Sequence, residues 1–234
     1  MKYCDAVQPT LVETTSRTKL GYVDDTNLEG RISAVANDVQ HIIDSFPTTG
    51  LILNAHKCEI IANNFDQIDK FPVFKDFRRV AKEDLILLGA PILEGKAVDK
   101  ALIAKITDLE RSVERLSLLP AHDALCLLKN ALAKPKLLYI FRTSPCAGNR
   151  LLSTFDNVLR SGLSQILNVD LNDSQWTQAT LPVHMGGLGV RSACKLAPSA
   201  FLASTAATLS LQEAILQEPL RHTDDLAVPY ALSV

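Results

Sequence analysis

An α+β fold is predicted, with a small antiparallel sheet first and helices afterwards. Short apolar runs broken by turn residues fill residues 1–95. After Gly95 the apolar residues recur at a helical period. A late stretch, 196–212, carries no charged side chain, as in a helix buried on most sides, within the chain or against a partner.

Each element has a local cause. Within Lys19–Leu28, Tyr22 and Val23 favour strand while Asp24 and Asp25 favour a tight turn, so two strands flank an acidic tip. Ile32, Val35, Val39, Ile42 and Phe46 are spaced as one face of a helix, which Pro47 and Gly50 end. Cys58–Ala62 and Leu85–Leu88 read as strands, the second stopped by Gly89 and Pro91. Val98, Leu102, Ile106, Leu109, Val113 and Leu116 then mark a long helix up to Pro120. His122 or Asp123 can cap the next helix, which runs to Lys134. Further helices are predicted at Asn149–Leu167 and Ala197–Gln217. Between them, Gly186-Gly187-Leu188-Gly189 reads as a flexible turn before a helix starting near Arg191, and Trp176 as a core or interface anchor.

Composition excludes several classes. The 234 residues are 47% apolar and 21% charged, which rules out intrinsic disorder. Charges interrupt every window long enough to span a bilayer, so no membrane partner is expected. Asp5, Gln8 and Pro9 stand where a secretory signal would need an apolar run, so an intracellular chain is expected; nucleus and cytoplasm are not distinguished. The five cysteines form no Cys-x-x-Cys pair, and neither a disulfide framework nor a zinc site is written; His56 and Cys58 alone cannot make one. Net charge is −3 over residues 1–56, +2 over 57–136 and −1 over 137–234. No segment is basic enough for tight non-specific binding to nucleic acid.

The sharpest chemical signal is Tyr22-Val23-Asp24-Asp25 at a hairpin tip. Adjacent carboxylates repel, and a hard divalent cation with oxygen ligands relieves that repulsion. Gly50-Leu51-Ile52-Leu53-Asn54-Ala55-His56-Lys57 follows, then Leu87-Leu88-Gly89-Ala90-Pro91-Ile92. Farther on stand Asp123–Leu128, Pro135–Arg142 and Leu181-Pro182-Val183-His184-Met185-Gly186-Gly187-Leu188-Gly189. In this order, from Leu20 to about Leu202, the segments resemble the reverse transcriptases of non-LTR retrotransposons, in their C-terminal palm and thumb.

That resemblance implies a partial palm over 1–95, thumb-like helices over 96–145 and a C-terminal helical region over 146–234. It implies Asp24 as a metal-ligating, catalytic aspartate with Asp25 its neighbour, and Lys57 as a lysine near the nucleotide phosphates. Tyr22 would pack near the primer end, and Leu88 and Gly89 would shape the primer grip. Mg²⁺ or Mn²⁺ would be the cofactor, and an RNA template with a DNA primer the partners. The family's fingers and first palm half, with its other aspartate, precede the hairpin, whereas 21 residues precede Tyr22 here. The chain by itself is therefore expected to be inactive, to bind nucleic acid weakly and to self-associate through apolar residues such as Leu20 and Val23. The alternative is a non-catalytic helical module that binds protein or RNA.

Overall fold

The computed structural model describes residues 18–22 and 25–216. Helix and sheet are mixed, with helix dominant and the sheets small. Among the described residues, no helix is long and apolar enough to cross a membrane. Two compact units divide the chain, one ending at Lys82 and the other running from Glu83 to Ala214.

In the first unit, β1 (Thr18–Tyr22) and β2 (Asp25–Glu29) form an antiparallel hairpin, in register from Thr18 opposite Glu29 to Tyr22 opposite Asp25. Helix α1 (Ile32–Ser45) buries Ala36, Val39 and Ile42. A 3₁₀ turn at Phe46–Thr49 ends it, and Gly50 closes that turn at φ 77°, a left-handed angle that glycine adopts at no steric cost. The core beneath α1 was not foreseen from sequence. Residues 65–77 make two 3₁₀ turns that bring Ile68 and Phe74 against Ala36 and Val39. Phe74 packs edge-on between Phe71 and Phe77, with ring centres 6.3 and 5.5 Å away.

The expected single antiparallel sheet is not what the described residues form. They make three separate two-stranded ladders, and β3 (Glu59–Ile60) with β4 (Arg78–Arg79) is parallel. A parallel pair needs a long crossover, and the aromatic 3₁₀ segment between β3 and β4 supplies it. Arg78 pairs with Glu59, and Arg79 pairs with Asp69 while its guanidinium lies 5.8 Å from the Phe65 ring centre.

The second unit opens with the antiparallel hairpin β5 (Ile86–Leu87) and β6 (Ala90–Pro91). Its framework is α2 (Lys96–Leu116) against α5 (Arg150–Leu167). All six residues of the α2 stripe, Val98 to Leu116, are buried, as their spacing predicts. Gly162 is where α5 comes closest, since a Cβ there would lie 2.5 Å from Val113 Cγ2. Asn149 caps α5 through Leu151 N–H and also donates to Asp99 on α2 at 2.7 Å.

The helix predicted up to Lys134 is instead α3 (Ala121–Leu127) running into a π turn, Leu128–Leu132. The wider turn lets both Leu128 and Ala133 face the core, and Ala133 N–H donates to Leu128 O. Helix α4 (Lys134–Thr143) buries Leu137, Ile140 and Phe141. Helix α6 (Asp173–Thr180) opens with a capping box between Asn172 and Gln175, and Trp176 packs half-buried on the core. Helix α7 (Ala193–Leu216) starts four residues before the predicted Ala197.

Candidate functional site

The register of β1 and β2 leaves Val23 and Asp24 as the connection, and both lie outside the described residues. Asp24, the foremost candidate, therefore has no described geometry, and neither does the expected exposure of Val23 and of the Leu20 side chain. Asp25, assigned to the turn by sequence, is the first residue of β2, because ladder pairing with Tyr22 draws it into the strand. Its side chain is exposed.

Lys57 ends a 3₁₀ turn, Ala55–Lys57, with its amide donating to Asn54 O at 3.0 Å. It is exposed and makes no ion pair among the described residues. Leu53 of the same segment packs on the α1 core, so the backbone is anchored while Lys57 stays in solvent. Cys58 beside it donates to Asn54 O at 3.4 Å, and burial pushes its thiol pKa up. Asp25 and Lys57 share the first unit, but no hydrogen bond or ion pair joins them.

Leu88 and Gly89 form the turn between β5 and β6, in the second unit. Both have positive φ, 49° and 78°, the signature of a two-residue type I′ hairpin. Gly89 satisfies that geometry freely, whereas Leu88 adopts an angle that L side chains disfavour. Tyr139 of α4 donates its hydroxyl to Leu88 O at 2.6 Å. Sequence singled out the segment holding Tyr139, yet the 51-residue separation hid this contact.

The glycine-rich loop is a correction. Gly187 N–H donates to Pro182 O, Leu188 and Val190 N–H to Ala179 O, and Gly189 N–H to Leu181 O. A Cβ on Gly187 would sit 2.1 Å from Leu181 O, so the loop is closely packed on the end of α6 rather than a flexible turn. Beyond it, Asp156 of α5 accepts from Ser192 Oγ and Ala193 N–H, each at 2.6 Å, and from Cys194 N–H at 3.3 Å. This buried carboxylate satisfies three donors at the start of α7, a structural task.

Carboxylate oxygens at a hairpin tip suit a hard divalent cation in kind. Of the pair, Asp25 lies among the described residues and Asp24 outside them. Among the described residues, no three His, Cys, Asp or Glu side chains gather as a metal-ligating group. No family model, characterised protein or solved structure matches the chain.

Proposed function

We propose that this chain is the palm-hairpin and thumb portion of an RNA-directed DNA polymerase of the non-LTR retroelement class, inactive in isolation. Tyr22-Val23-Asp24-Asp25 across a two-stranded antiparallel ladder carries the proposal. The Leu88-Gly89 hairpin followed by a helical unit supports it in chain order. Asp24 and Asp25 would hold Mg²⁺ or Mn²⁺, which when bound stabilises the attacking and leaving oxygens of nucleotidyl transfer. Lys57, exposed and anchored through its backbone, would neutralise charge on the incoming triphosphate. By the same resemblance Tyr22 would pack near the primer end, and Leu88 and Gly89 would shape the primer grip.

Mn²⁺ titration followed by paramagnetic broadening of the β1–β2 amides tests the cation site. Weak broadening around Tyr22 and Asp25 is expected, lost in Asp24→Asn. Equal broadening in both proteins would return the motif to a solvated acidic turn. Primer extension on an RNA template, with Mg²⁺ or Mn²⁺, should give no product from the 234-residue chain or from Asp24→Ala. Product made by the wild type and lost in the variant would show that the chain alone is active. The self-contained core of the helical unit favours a second reading, a non-catalytic interaction module, for which broadening would not depend on Asp24.

A further inference from the structure

We propose that Tyr139 is the positioning residue of the Leu88–Gly89 turn, holding Leu88 in the left-handed conformation that fixes where its exposed side chain points. The proposal deepens, and rests on, the primer-grip role suggested for this hairpin. Two non-glycine residues among those described have positive φ, Asn168 and Leu88. Asn168 is the C-cap of α5, a place and a residue type suited to that angle. Leu88 has neither excuse, and a γ-branched side chain in a type I′ turn sits where asparagine or glycine is favoured.

Packing does not impose the angle. Leu88 is 48% exposed and Tyr139 50% exposed, and a Cβ on Gly89 would meet nothing within 4 Å. The described polar contact from outside the hairpin to Leu88 is the Tyr139 hydroxyl, at 2.6 Å from its carbonyl oxygen. The far end of that tether is rigid, because Leu137, Ile140 and Phe141 bury the opposite face of α4. A fixed donor thus selects one carbonyl direction, and the carbonyl direction selects the turn. One hydrogen bond is of the size needed to offset a single left-handed leucine.

The test uses the full chain as wild type, Tyr139→Phe, Leu88→Asn and the double variant. Amide exchange at Gly89 and Ala90 should speed up roughly 3- to 10-fold in Tyr139→Phe, the loss of one hydrogen bond. The strong intraresidue amide–Hα cross-peak of a positive-φ residue should fade at Leu88. Adding Leu88→Asn should restore both to within about twofold of wild type, since asparagine tolerates the angle without a tether. Exchange and cross-peak unchanged in Tyr139→Phe, or no rescue by Leu88→Asn, would overturn the proposal. Helical circular dichroism should match wild type throughout, because neither side chain is buried.

A second readout separates this inference from the polymerase reading. A DNA primer with a photoreactive 3′ nucleotide, annealed to RNA, should crosslink within residues 86–91. That yield should drop at least about threefold in Tyr139→Phe. Absence of any crosslink in wild type would count against the polymerase reading, while the exchange data still decide the role of Tyr139. Crosslinking equal in wild type and Tyr139→Phe would overturn the positioning role.

Discussion

Gly187 shows how a single missing atom can define a loop. Its position would place a Cβ 2.1 Å from a backbone oxygen, and backbone cannot retreat as a flexible side chain can. Gly187→Ala is expected to cost about 3 kcal/mol or more, read as a fall in the midpoint of chemical unfolding. An effect below about 1 kcal/mol would mean that the loop re-forms around the methyl group. Cysteine chemistry is set at the same scale. Cys126 is exposed, Cys58 and Cys194 are half-buried with raised thiol pKa values, and Cys146 is buried with its pKa pushed up to about 12. Only the thiolate attacks alkylating reagents. Peptide-resolved iodoacetamide labelling at pH 8 should therefore modify Cys126 first among these four, and Cys146 only on unfolding. Early labelling of Cys146 would contradict its burial. Residue identity told little of this order, because the exposed one, Cys126, lies in the apolar run Ala124–Leu128.

Helix pairs decide the next scale. Gly162 lets α5 approach α2 at Val113, so two opposing effects meet in Gly162→Ala. Alanine favours helix over glycine by about 1 kcal/mol, whereas overpacking typically costs about 1–3 kcal/mol. A Cβ contact of 2.5 Å makes the second term the larger, so net destabilisation is expected. Val113→Ala removes the obstructing methyls, and the double variant should be more stable than the two single losses summed. Simple additivity would place the strain elsewhere. Asp156 belongs here too, since one carboxylate ties α5 to the start of α7. Asp156→Ala should cost about 2–3 kcal/mol, and exchange should rise first at the Ala193 and Cys194 amides. The α2 stripe was legible in sequence because every buried contact it makes repeats with the helical period. Gly162 and Asp156 were not, since each answers to a partner at least 36 residues away.

At the scale of the molecule, the core of residues 83–214 closes on itself, from Val98 on α2 to Ala197 on α7. A fragment spanning 83–214 is expected to fold alone, with a helical spectrum and one cooperative melt. A broad, non-cooperative melt would mean that this core depends on residues before 83. The first unit has a smaller buried cluster, four residues with a rim of aromatic and branched side chains, and should be the earlier to open in hydrogen exchange.

By itself, the sequence determined the mix of a little sheet followed by helices, the α1 and α2 stripes, the three hairpin or strand starts and the bounds of α1 and α5. Period, proline and capping residues act within a few positions of one another, so they can be read in order. The Tyr22–Asp25 motif can likewise be read in order, as four consecutive residues. Tertiary structure decided the rest: the parallel pairing of β3 with β4, the aromatic core of 65–77, and the π turn that aims Leu128 and Ala133 inward. It also decided the pinned glycine loop and the Tyr139 tether on Leu88. These depend on which distant atoms meet, and a local pattern carries no record of distance across the fold.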